Sequence, residues 1–218
     1  MPVKGQGARH KGKGKSGCAT RWEGFFREDS RTIDAPPANF AEHAATFFRR
    51  KGARMVLDLG CGAGRDTLAL AGSNLDVIGA DLAWSGLQIA RGRKKPKGIH
   101  GWVKSDARCL PFLDSSMDGV YCFGLLHEFI GRGAARSVDG IMAEVRRVLK
   151  TGGLLALAVL SGDPKSGLPH VRLFSKNMVE KAIRDLEVIE KKHCIDVGCT
   201  GCRDYKVWVV ICRKGEDI

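Results

Sequence analysis

The residues with the clearest capacity for chemistry are three acids that follow three apolar runs, together with a glycine loop beside the first. The run Val56-Leu57-Asp58-Leu59 leads straight into Gly60-Cys61-Gly62-Ala63-Gly64. Glycine at 60, 62 and 64 lets the backbone turn sharply and admits a ligand against the main chain without Cβ clashes. Loops of the G-x-G-x-x-G kind set a helix N-terminus against a pyrophosphate. Here the third glycine comes one residue early, Asp58 stands inside the strand, and Arg65-Asp66 follow. That pattern suits a ligand with an amino-acid group rather than a diphosphate. Asp81 ends Val77-Ile78-Gly79-Ala80, where a carboxylate can accept hydrogen bonds from both hydroxyls of a ribose. Capping the next helix is the other role open to it. Asp106, in Lys104-Ser105-Asp106-Ala107, can take a hydrogen bond from an adenine amino group or serve its own loop. Taken together the acids fall after three successive strands, on the edge of the sheet where ligands bind.

The elements that must position them alternate. Strand patterns cover Met55–Leu59, Asp76–Ala80, Ile99–Val103, Gly119–Phe123 and Leu154–Val159. Helical patterns lie near Asp66–Ala71, Ser85–Arg91 and Ala134–Leu149, the last stopped by Thr151-Gly152-Gly153. Such alternation predicts an α/β fold with a doubly wound sheet. It is mostly parallel, with an antiparallel C-terminal hairpin of Glu187–His193 and Lys206–Cys212 after a capped helix, Ser175–Arg184. Upstream, Pro36-Pro37 precede a helix, Asn39–Arg50, with Phe40, Ala44, Phe47 and Phe48 on one face.

With these residues in place, Met55 to Leu160 resembles the class I S-adenosylmethionine-dependent methyltransferases, whose fold is Rossmann-like. The similarity is greatest to the group that includes the ubiquinone and menaquinone biosynthesis methyltransferases. It continues through Leu110-Pro111-Phe112, Ser116-Met117-Asp118-Gly119-Val120-Tyr121, Leu126-His127-Glu128 and Glu144 to Gly153. The resemblance implies S-adenosylmethionine as cofactor. Gly60, Cys61, Gly62 and Gly64 would border it and Asp58 would orient its methionine end. Asp81 and Leu82 would hold the ribose, Asp106 and Ala107 the adenine, and Phe123, Gly124 and Leu125 would lie beside the sulfonium. Trp22 either caps this site or packs in the core. His127 is the candidate catalytic base, against a packing or cofactor-contacting role; Glu128 and His170 are weaker candidates.

A chain of 218 residues, 44% hydrophobic and 28% charged, corresponds to one soluble domain with additions. Residues 1–20 are Gly/Lys-rich and expected to be disordered, 21–54 form a helical cap, and 55–218 form the methyltransferase domain. No apolar run is long enough to cross a bilayer and no secretory signal is evident, so a cytoplasmic location is expected. The net charge of +12 includes the tail and a cluster from Arg91 to Lys97, either of which could meet RNA phosphates.

For the acceptor, the leading reading is a small molecule such as a thiol, metalloid or quinone. Trp22 to Phe48 and Arg172-Leu173-Phe174-Ser175 resemble parts of metalloid and thiol methyltransferases of the tellurite-resistance type. The second reading is tRNA or rRNA. Against it, Phe123-Gly124-Leu125-Leu126 lacks the Asn/Asp-Pro-Pro-aromatic signature of amino-directed base methylases. A non-catalytic binding module is the third. Cys194, Cys199 and Cys202, beside His193, are weak candidates for holding a soft ion, against the plainer reading of thiols in a turn. They could serve the site only if the hairpin tip lies on the cofactor edge.

Overall fold

The computed structural model describes residues 18–28, 36–94, 96–131, 133–163, 171–195 and 206–216. Helix α1 (Cys18–Glu28) and α2 (Asn39–Arg50) precede β1 (Met55–Leu59), α3 (Arg65–Gly72), β2 (Asp76–Asp81), α4 (Trp84–Gly92) and β3 (Ile99–Lys104). Next come β4 (Met117–Phe123), a single 3-10 turn (Leu126–Glu128), α5 (Ala134–Val148), β5 (Leu149–Leu160), α6 (Lys176–Ala182), β6 (Glu187–Ile195) and β7 (Lys206–Arg213). The sheet order is β3-β2-β1-β4-β5-β7-β6, with β7 antiparallel to both neighbours and the other pairs parallel. This is the α/β architecture expected, with the order reversing between β1 and β4, which opens a crevice at their carboxyl ends.

Alternation along each strand divides the core into two layers. Leu57, Leu59, Val120, Cys122, Leu155 and Leu157 join the buried face of α5 and α6, including Ile141, Val145 and Val179. Val56, Val77, Tyr121, Leu154 and Ala156 join α2 and α3 through Phe40, Ala44, Phe48 and Leu70. The spacing of Phe40, Ala44 and Phe48 makes one helical stripe, and Phe48 occupies the space left by Gly119, where a Cβ would come within 3.0 Å of its ring. Under the glycine loop a second ring does the same. The Trp102 indole fills the positions a Cβ would take at Gly64 and Gly79, each 2.5 Å from a ring carbon.

Two boundaries differ from the sequence reading. Cys18–Thr20, assigned to the tail, are the first turn of α1, because the residues that follow anchor the helix on the cofactor loop. α5 ends at Val148, with Leu149 already extended, so Thr151-Gly152-Gly153 lies within β5 rather than stopping the helix, at a shift in the β4–β5 register. β5 extends back to Leu149, with Gly152 at φ +76 and its N–H donating to Lys214 O at 2.9 Å. The backbone pairing with the chain beyond β7 holds it in line.

The described ends of β6 and β7 have a definite side. Leu160 at the carboxyl end of β5 pairs with Val207, and Ile195 pairs with Lys206, so the open end of β6–β7 is on the cofactor edge. Cys199, Cys202 and His170 lie outside the described residues, as do residues 1–17 and Lys95 of the basic cluster. Cys194 is exposed on β6, and among the described residues no three His, Cys, Asp or Glu side chains are grouped to hold a metal.

Candidate active site

A cavity of about 1130 Å³ occupies the crevice beyond β1 and β4. Asp58, Gly60, Cys61, Gly62, Asp81, Leu82, Asp106, Ala107, Phe123 and Gly124, chosen from sequence, all line it. Gly64 is the exception. It stands at φ +76 as the residue before α3 and turns toward Trp102 and Ala90, so its role is to let the loop close over the indole.

Asp58 is buried and accepts the Thr67 hydroxyl. Burial pushes its carboxyl up to about 8; the Thr67 bond opposes this, the nearby charges of Asp66 and Asp81 add to it, and Arg65 opposes it. Asp81 accepts from Gly62 N–H at 2.9 Å and Ala83 N–H at 2.7 Å, so it both caps the turn before α4 and faces the cavity. Burial raises its pKa, partly offset by those backbone bonds. Asp106 is paired with Arg108 at 2.6 Å, which holds its pKa below the usual value. Arg147 anchors the following loop through Leu110 O, Phe112 O and Asp114. The Cys61 thiol, pushed well above its ordinary pKa by burial and by Asp58 and Asp81, is protonated at neutral pH.

Four features add to the sequence reading, which noted Arg65-Asp66 and Trp22 but not the contacts that hold them. Arg65 lies on the cavity wall with Nε 2.8 Å from Asp66 Oδ1 and its guanidinium 5.6 Å from the Phe123 ring centre. Asp66 also accepts Tyr121 O–H at 3.0 Å and Ala38 N–H at 2.9 Å, which locks β4, α2 and α3 around that arginine. Helix α1 covers the mouth with Trp22, Phe25 and Phe26, ring centres 4.9 to 5.6 Å apart. Phe26 lies against the glycine loop and α4: a Cβ at Gly62 would be 2.8 Å from it and one at Gly86 2.9 Å.

The fourth feature is Glu23, which fastens α1 in place. Its carboxylate accepts Trp84 N–H at 2.6 Å and Ser85 N–H at 3.0 Å, a cap supplied to α4 from another helix, and its carbonyl accepts Ser85 O–H at 3.1 Å. Replacing Glu23 with Ala removes both carboxylate bonds, each on the order of 1 kcal/mol for an exposed cap. The expected result is roughly tenfold weaker cofactor binding by calorimetry with the sheet core intact. Unchanged affinity would show that α1 contributes nothing to the cofactor site.

At the far end of the cavity His127 and Glu128 are both buried. His127 Nδ1 accepts Leu160 N–H at 3.4 Å, and Arg172 N–H donates to His127 O at 2.7 Å. Burial, helped by the charge of Arg21, lowers the imidazole pKa to about 4, so it is neutral at physiological pH. Glu128 forms an ion pair with Arg21 of α1, and its other oxygen is 3.6 Å from His127 Nε2.

Sheet order, glycine loop and acids on successive strand ends define a class I S-adenosylmethionine-dependent methyltransferase domain. Comparison with known proteins agrees, since residues 57–157 match the Methyltransf_11 model, a methyltransferase domain. The O-methyltransferase cnsE of Penicillium expansum is 35% identical over 112 residues, 50% of this chain and 38% of that protein. Demethylmenaquinone methyltransferase of Tropheryma whipplei is 32% identical over 126 residues, 58% of this chain and 50% of that protein. The chain thus spans half or less of these relatives. Among solved structures, Burkholderia thailandensis 1,6-didemethyltoxoflavin-N1-methyltransferase, bound to its substrate and S-adenosylhomocysteine, superposes with a TM-score of 0.67 at 17% identity. That superposition covers 91% of this chain and 87% of the other. The likeness lies in the fold.

S-adenosylmethionine is the cofactor of this class, and the residues present fit it. Gly60 and Gly62 stand at φ +83 and +52, leaving bare backbone on the wall. The buried Ser105 Oγ, in a cavity-lining residue, has no hydrogen-bond partner among the described residues. Asp58 and Asp81 give acceptors for an ammonium group and for ribose hydroxyls, and Arg65 gives a cation for a carboxylate.

Proposed function

We propose that the protein transfers a methyl group from S-adenosylmethionine to a small-molecule acceptor in the cytoplasm. The observation that carries this reading is the size of the cavity. At about 1130 Å³ it exceeds the roughly 300–1,000 Å³ of a single-ligand pocket, and its end beyond Gly124 is lined by residues of α1 and of the β5–β7 edge. A cofactor and a compact acceptor fit together there. The methyl on the cofactor's sulfonium is already activated, so the chain's task is to bind, orient and exclude water. In this reading Asp81 holds the ribose, Asp106 the adenine, and Asp58 and Arg65 the methionine end. Phe123, Gly124 and Leu125 flank the reacting methyl. No helix among the described residues is long and apolar enough to cross a membrane.

Calorimetry with S-adenosylmethionine, S-adenosylhomocysteine and NAD, then a radiolabelled methyl-transfer screen over phenols, quinols, thiols, metalloids and tRNA, tests the reading. The first two ligands are expected to bind, NAD is not, and label is expected in a small molecule. Label in tRNA alone would overturn it in favour of an RNA substrate, for which the exposed Arg91 in the last turn of α4 and Lys94 just beyond it would supply phosphate contacts. Binding without transfer to any acceptor would favour a non-catalytic module.

A further inference from the structure

Two neighbouring side chains on the acceptor wall could receive a proton, and the structure separates them. Among the described residues, the one hydrogen bond to the His127 ring fixes where its proton sits. Nδ1 accepts Leu160 N–H, so the proton of the neutral ring is on Nε2, which faces Glu128 Oε1 at 3.6 Å. Such an imidazole has no lone pair to offer an acceptor. Glu128 is different: it is buried to 8% exposure, lines the cavity, and carries an acceptor-only carboxylate between the His127 N–H and the Arg21 guanidinium. It lies on the turn that follows the Phe123–Gly124 end of β4. The surrounding wall is apolar and partly aromatic, formed by Phe123, Phe129, Leu160, Val171 and Val207.

Resting on the small-molecule reading above, we infer that Glu128 is the base that takes the acceptor's proton, and that the acceptor is a compact phenol-like ring whose hydroxyl meets that carboxylate. Arg21 of α1 is the residue that holds Glu128 in place, and the His127 ring stands beside it at 3.6 Å. The step balances without a further reactant. The acceptor oxygen gains a bond to the methyl carbon and loses its proton to Glu128, while the electron pair of the broken carbon–sulfur bond stays on sulfur. This moves the base from His127, the candidate the family resemblance gave, to Glu128, whose carboxylate keeps lone pairs beyond the one that meets Arg21. Metalloids and ionised thiols would need no such base.

The test uses para-substituted phenols of matched size and graded acidity, from 4-methylphenol to 4-nitrophenol, with the full chain and its Glu128→Gln and Glu128→Asp variants. A general base contributes about 10²–10⁴-fold. Glu128→Gln is therefore expected to lower kcat on 4-methylphenol by at least about 10²-fold, and on the largely ionised 4-nitrophenol by less than about tenfold. S-adenosylhomocysteine affinity should stay within about twofold, and Glu128→Asp should recover part of the lost rate. A structural role would lower all phenols alike. An equal fall across the series, or none, overturns the assignment of Glu128 and leaves the small-molecule reading standing. So does methylation of thiols or arsenite but of no phenol by the natural chain. Methylation of tRNA alone removes both readings.

Discussion

Asp81→Ala is expected to weaken S-adenosylmethionine binding by about 10²-fold or more while the protein stays folded. Two hydrogen bonds from ribose hydroxyls to a carboxylate are each worth about 1.5–3 kcal/mol, and a loss of about 3 kcal/mol already exceeds 10²-fold. Asp81 also accepts Gly62 N–H and Ala83 N–H, so alanine loosens the loop as well. Asp81→Asn separates the two effects, since its amide oxygen can keep one backbone bond while the charge is gone. Calorimetry gives the affinity and circular dichroism the fold. Wild-type affinity in both variants would remove Asp81 from the ribose site.

The second large effect is a bell-shaped pH dependence of cofactor affinity centred near pH 8. In the free protein, burial holds the Asp58 carboxyl at about 8, so it is mostly protonated at neutral pH. If Asp58 receives the cofactor's ammonium group, binding below that pH must release the proton. Affinity then falls by up to about tenfold per pH unit as the medium becomes more acidic. Above about pH 8 the cofactor's own α-amino group loses its proton and the attraction goes with it. Calorimetry of S-adenosylhomocysteine binding in buffers of different ionisation enthalpy counts the released proton directly. Asp58→Asn should bind more weakly at pH 8 and lack the acidic limb. A flat profile between pH 6 and 8 would mean that Asp58 does not meet the ammonium group.

The residues that line the crevice beyond β1 and β4 were legible because their signals are local. Gly60, Gly62, Asp81 and Asp106 each stand at the end of a strand whose apolar pattern is evident, and the sheet order brings those ends to one edge. What covers that edge was less legible. Trp22 was open between capping the site and packing in the core, and the contacts that fix α1 join Glu23 to residues 61 and 62 positions later. Gly64 shares the pattern of its two neighbours but does not line the cavity, and only the Trp102 ring behind it shows which way it turns. The acceptor end could be read through the family resemblance, which gave His127 as the candidate base. Burial and the Leu160 N–H, neither visible in a string of letters, change that ranking. For the hairpin, composition left both edges open, and the Leu160–Val207 pairing chose the one beside the cavity.

The indole under the glycine loop makes three positions heritable as a unit. Trp102 stays in place although its N–H is buried without a partner among the described residues, and its ring stands 2.5 Å from where a Cβ at Gly64 or Gly79 would be. No lineage can acquire alanine at 79 while keeping tryptophan at 102 without displacing β2, β3 or the cofactor loop. The order of change is therefore constrained. A smaller residue at 102 must come first and leaves a cavity costing several kcal/mol until the glycine is replaced. Descendants should thus carry either the full set of tryptophan with two glycines or a smaller residue with a Cβ opposite it, with few intermediates surviving between them.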